Sequence, residues 1–98
     1  MIPFPKYVRV GGHVIKVKRV PDLIKNEDAF GTWDDGALTI AIDANLSSSL
    51  AWETLWHEII EAINTSTDSK LDHHVIQTTG LLIHQVFQSL LERGQKGD

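Results

Sequence analysis

Five consecutive residues, His57-Glu58-Ile59-Ile60-Glu61, carry the clearest chemical signal in the sequence. On a helix, His57 and Glu61 stand one turn apart, about 6 Å along the axis and about 40° around it. An imidazole and a carboxylate at that spacing converge on one cation. Glu58 lies about 100° round from His57, beside such an ion, where a carboxylate can act as general base. The layout is that of the HExxH zinc motif with Glu61 in place of the second histidine.

Two ligands do not make a catalytic zinc site, which takes three protein ligands and keeps a fourth position for water. The chain has no cysteine, so the third ligand must be His, Asp or Glu. His73 and His74 follow a polar loop at the start of the next apolar-periodic segment. Two antiparallel helices joined by a short loop bring the start of the second beside the end of the first. One of the two histidines then reaches the ion, and spacing alone does not choose between them. His57, Glu61 and His73 supply two imidazoles and one carboxylate, the inventory of known zinc peptidases in a different order. One carboxylate leaves a Zn²⁺ site with net charge near +1, which still favours ionisation of its water. The expected chemistry is peptide hydrolysis, with Glu58 carrying the proton. The alternative is a plain helix with a solvated Glu-x-x-Glu face. By residue usage the motif arises in about one chain in a hundred of this length. The downstream histidine and the helical context therefore carry much of the weight.

The elements that must position these groups can be read from periodicity. Residues 7–20 form a predicted β-hairpin, two β-branched runs around Gly11-Gly12. Pro21-Asp22 ends it, and residues 22–28 give no clear pattern. Residues 29–43 form a second hairpin turning at Asp34-Asp35-Gly36, with Leu38, Ile40 and Ile42 on its core face. Ser47-Ser48-Ser49 supply N-cap residues for a helix over 48–64, whose apolar side includes Leu50, Leu55, Ile59 and Ile63. Ser69 or Asp72 can cap a second helix over 72–93, with Ile76, Ile83, Val86, Phe87, Leu90 and Leu91 inward. Gly80 within it either allows close helix packing or weakens the helix. Residues 94–98 read as a frayed tail. The expected class is α+β: a small, mainly antiparallel sheet of two N-terminal hairpins packed on two C-terminal helices.

Length and composition set the limits. The 98 residues suit one domain, 1–98, with a thin core that a bound metal would help to secure. A net charge of −4 argues against a nucleic-acid partner, and Lys6, Arg9, Lys16, Lys18 and Arg19 read as a solvated hairpin face. No apolar run approaches the roughly 20 residues of a membrane span. The N-terminal residues hold no signal-peptide core. With zero cysteine, these features lead to an expected cytoplasmic location.

Other side chains have simpler expected roles. His84 lies about 16 Å along the helix from His73, too far to share an ion, and is expected to be packed or at the surface. His13 flanks the Gly-Gly turn at the surface. Trp52 and Trp56 belong to the core. Trp33 either packs or lines a cleft where an extended peptide adds to a strand edge. Thr54 and Asn64 flank the His57 face and either support its ring or are solvated. Asp72 is a helix cap.

Along nearly its full length the chain resembles the small phage- and prophage-encoded zincin-like proteins related in style to minigluzincins. The resemblance rests on Ile2-Pro3 and Val8 to Val20 as the opening strand pair, Phe30-Gly31 in a glycine-containing strand, and Leu38-Thr39-Ile40-Ala41-Ile42-Asp43. It continues through Glu53 to Asn64 as the active-site helix and Leu71-Asp72-His73-His74-Val75-Ile76 as the start of the last helix. Many members read HExxH; Glu61 places this chain with a subgroup reading HExxE with a downstream histidine. The resemblance implies a zincin-like fold, zinc held by His57, Glu61 and His73, and Glu58 as catalytic acid/base. It also favours His73 over His74. A zinc metallopeptidase acting on a protein or peptide substrate is the expected function. The alternative is a catalytically inactive metal-binding phage protein that serves as a protein-interaction module. A third possibility is a helical hairpin that dimerises through Leu82, Phe87 and Leu91 and needs no metal.

Overall fold

The computed structural model describes residues 3–67 and 70–96. Strands β1 (Tyr7–Val10) and β2 (His13–Val20) pair antiparallel across Gly11-Gly12. Both glycines have positive φ, 57° and 84°, as a two-residue hairpin turn matched to strand twist requires. Strands β3 (Gly31–Asp34) and β4 (Thr39–Asp43) form the second antiparallel pair. The two hairpins join through a parallel β2–β4 ladder, giving the order β1-β2-β4-β3. The class is thus α+β, with a four-stranded, mostly antiparallel sheet and two long C-terminal helices.

The parallel join was not visible in the sequence, and it has a structural cause. Residues without clear pattern form a short helix, α1 (Leu23–Glu27), flanked by Asp22 and Asp28 in the left-handed region. Aspartate tolerates that conformation better than most residues. This helix carries the chain from the end of β2 over to β3, so β4 returns parallel to β2. Leu38 also departs from the expected strand face: it precedes β4 at φ 49°. Ile40 and Ile42 are fully buried as expected, but Ala41 and Asp43 on the other face are covered too.

Helices α2 (Ser48–Thr67) and α3 (His73–Lys96) are each slightly longer than the predicted spans. Ser47 Oγ accepts from Leu50 N at 3.3 Å and starts α2; Asp72 Oδ1 accepts from Val75 N at 3.0 Å and starts α3. The other candidate cap, Ser69, lies outside the described residues, as do Ile2 of the opening segment and Gly97-Asp98 of the tail. Ala51, Leu55 and Ala62 of α2 bury against Ile15, Val17, Ile40 and Ile42 of the sheet. Each large aliphatic side chain buried there contributes about 1.5–3 kcal/mol. Trp52 and Trp56 are packed as expected, with rings 4.8 and 5.7 Å from Phe87; Phe4 closes on Trp52 at 5.2 Å.

Arg19 is not part of a solvated basic face. Its guanidinium donates to the carbonyls of Asp43, Ala44 and Leu46 and lies over the Phe4 ring. It ties the end of β2 to the turn that leads into α2. The inward side of α3 also needs correction. Ile76 is buried, and Ile83, Phe87 and Leu91 are partly buried, but Val86 and Leu90 face outward. The helix is apolar on two sides, and α3 packs chiefly on α2.

Candidate metal centre

The α2–α3 pair is set close by Gly80. A Cβ there would lie 3.3 Å from both the N and Cα of His57, tighter than most packed contacts. Of the two roles open to this glycine, close helix approach is the one the structure uses. It brings the start of α3 against the middle of α2. The His57 and His73 rings meet edge to face with centroids 5.4 Å apart. One ligand atom each from His57, Glu61 and His73 lie within 4.8 Å of one another. Small side-chain rotations bring atoms so spaced onto a common ion. His74 is exposed and outside this group. The donor set, two imidazole nitrogens and a carboxylate oxygen, suits zinc.

Burial lowers the His57 pKa; Glu61 opposes this and His73 adds to it. The imidazole is therefore neutral at pH 7, with a lone pair free for a metal. Glu58, 7 % exposed, is buried one position along. Among the described residues its carboxyl has no hydrogen-bond donor. Desolvation, reinforced by the negative charge of Glu61, pushes its pKa up to about 7. A cation at the triad would draw it back down.

His57, Glu58 and His73 open onto a cleft of about 530 Å³, lined also by Thr54 and Glu53 of α2 and by Gln77 and Leu81 of α3. Gly31, Phe30, Ala29, Asp28 and Ile24 complete it from β3 and the segment before it. That volume suits a small ligand or a peptide side chain. Gly31 is needed for the closure of this wall: a Cβ would come within 2.6 Å of Thr54 Cγ2 and 3.2 Å of Glu58 Cγ.

Of the other side chains weighed in the sequence, only Thr54 lines the cleft. Trp33 does not line the cleft; its Nε1–H donates to Thr65 Oγ1 at 3.3 Å. Thr54 lines the cleft, but its hydroxyl donates to Leu50 O. Asn64 Oδ1 accepts from Leu71 N and steadies the α2–α3 connection. His84 is buried, with Nε2 3.4 Å from Ser49 Oγ, and His13 is exposed. The apolar wall of Ile24, Phe30 and Leu81 was missed. None of the three falls among the positions that periodicity assigned to a core face, and no other local signal marks them. No protein-family model, curated protein or solved structure matches the chain.

Proposed function

We propose that the protein is a zinc-binding hydrolase, and within that class a metallopeptidase of zincin-like type. His57, Glu61 and His73 would hold the metal, and a protein or peptide would be the substrate. The observation that carries this is the convergence of those three groups beside Glu58, a buried carboxyl without a hydrogen-bond donor that opens on the cleft. A purely structural site has no use for such a group, whose desolvation is a standing cost. Zinc, when bound, supplies Lewis acidity that makes water acidic near neutral pH and polarises a carbonyl.

The chain's own residues do the rest. Glu58 accepts a proton from the attacking water and returns it to the leaving amine. A carboxylate held in a partly desolvated wall has a pKa nearer that of the groups it serves, which aids both transfers. Ile24, Phe30 and Leu81 cover the apolar part of the substrate, while Gly31 lets the strand wall come close to Glu58.

The test combines metal analysis with a peptide-cleavage assay. The purified protein should carry about one zinc per chain, and His57→Ala with His73→Ala should abolish it. Glu58→Gln should retain zinc and lose cleavage. Zinc content untouched by the double histidine change would rule out the site. Zinc retained with no cleavage of any peptide in a diverse library would leave the metal-binding interaction module.

A further inference from the structure

We infer that the cleft selects a peptide with a lysine or arginine beside the bond to be cut, its cation held by Glu53 and Asp28. This deepens the metallopeptidase reading and rests on it for the substrate's being a peptide. Three of the twelve residues that line the cleft are acidic, Asp28, Glu53 and Glu58, and none is lysine or arginine. Among the described residues, no ion pair or side-chain hydrogen bond engages any of these three carboxyls. Carboxylates on an open surface need no partner, but Glu58 is only 7 % exposed. A polar group buried to that degree without a donor marks the cleft as built to receive a ligand. Glu53 and Asp28 give that ligand its sign.

Their placement sets them apart from the metal ligands. On α2, Glu53, His57 and Glu61 follow at intervals of four, so Glu53 is one turn, about 6 Å, beyond His57 on the side away from Glu61. Two contacts fix the register of α2 against α3. Gly80 lies against the backbone of His57, and Ser49 Oγ is 3.4 Å from His84 Nε2. Glu53, midway between Ser49 and His57, is therefore level with the turn of α3 from Gly80 to His84, where Leu81 lines the same cleft. Asp28, at the end of α1, lines it from the side of β3. An aliphatic wall thus leads away from His57 towards a carboxylate. That wall has apolar surface to offer: Ile24 is 39 % exposed, Leu81 42 % and Phe30 47 %. Lysine and arginine lay their methylene stems along such surface and keep the charged end in polar surroundings. The four-carbon stem of lysine covers about one helical turn. An apolar side chain would fill the wall and leave both carboxylates without a counter-charge, and an acidic one would add a like charge. A divalent ion at His57, Glu61 and His73 repels a cation beside it, and the turn between His57 and Glu53 keeps the basic group clear of it.

The test pairs binding with cleavage. Fluorescent peptides of one sequence carry lysine, arginine, norleucine or glutamate at a single position, which is moved along the peptide. They are titrated against the chelator-treated full chain and read by fluorescence anisotropy. At the best position, lysine and arginine should bind about tenfold more tightly than norleucine, and glutamate more weakly still. Glu53→Gln and Asp28→Asn should each cut the preference for lysine over norleucine by about threefold or more. Glu53→Asp should keep most of it, and Glu53→Lys should invert it in favour of glutamate, all with unchanged circular dichroism. The zinc-loaded protein should cleave the basic peptides with the higher kcat/KM. Equal binding of lysine and norleucine peptides, binding of none of them, or a lysine preference untouched by both Glu53→Gln and Asp28→Asn overturns the inference. The two readings fail separately. Cleavage without a basic preference sinks this inference and leaves the peptidase. A Glu53-dependent lysine preference in binding, with no peptide cleaved, sinks the peptidase and leaves the cleft's choice of a cation.

Discussion

Asp43 and Glu58 are both buried carboxylates beside the same sheet, in opposite electrostatic situations. Asp43, 1 % exposed, ends β4. Its Oδ2 accepts from Ile24 N at 2.9 Å and its Oδ1 from Asn45 N at 2.7 Å. The hydrogen bonds from Ile24 and Asn45 hold its pKa below the usual carboxylate value. Desolvation raises the pKa less than these hydrogen bonds lower it. Glu58 is desolvated without such donors and moves the other way. A carboxylate with fixed donors holds structure; one without them is a strain on the fold that function can use. The corner at Asp43 anchors α1, and through it the wall of the cleft that contains Glu58.

The largest expected effect lies in catalysis. Glu58→Gln should lower peptide cleavage by about 10²–10⁴-fold while zinc content stays constant, a split that peptide turnover and metal analysis read together. An equal loss of metal and activity would make Glu58 a structural residue like Asp43.

The same substitution should stabilise the metal-free protein. For Glu58 the folded pKa is about 7 against an ordinary value of 4.5, so the folded state binds more protons than the unfolded state between these values. Stability therefore falls as pH rises from about 4.5 to about 7, by about 3 kcal/mol in all. Glu58→Gln should remove this slope and gain about that much at pH 8 in chelator-treated protein, with no gain at pH 4. Urea unfolding at the two pH values is the check, and added zinc should shrink the difference.

Gly31→Ala should cost about 1–3 kcal/mol, because the new methyl meets Thr54 and the backbone carbonyl of Ala41, 3.2 Å away, which cannot turn aside. It should also open the wall over Glu58 and narrow the pH-dependent range just described. Thermal denaturation against pH reports both effects.

Asp43 gives the smallest change and the opposite sign. Its folded pKa is lowered, so its contribution is complete above the ordinary value of 3.8 and is lost as pH falls through the lower folded value. Asp43→Asn should flatten the acid limb of the stability curve and leave the limb between pH 4.5 and 7 unchanged.

The contrast between the two carboxylates could not be read from the sequence. Glu58 stood out because a spaced motif surrounds it. Asp43 looked like a strand-ending residue, since the segment that supplies one of its donors, α1, shows no periodicity. Five residues are too few for an apolar repeat, so neither the helix nor the parallel β2–β4 ladder it permits left a pattern. Val86 and Leu90 were assigned to the core for a related reason: an apolar residue on a two-sided helix does not state which side has a neighbour. Trp33 was open between packing and a cleft wall, because its position relative to Thr65 depended on the register of β3 over α2.

By itself the sequence determined the elements and their local chemistry: two hairpins, two capped helices, and an imidazole and carboxylate one turn apart on the first long helix. These follow from backbone turns, caps and side-chain periods that act over a few residues. Tertiary structure decided which of two adjacent histidines turns towards that pair, which buried carboxylate has donors, and which side of the last helix stays uncovered. Each of those depends on a few ångströms of approach between segments distant in the chain, set here by Gly31 and Gly80, and no local rule fixes such distances.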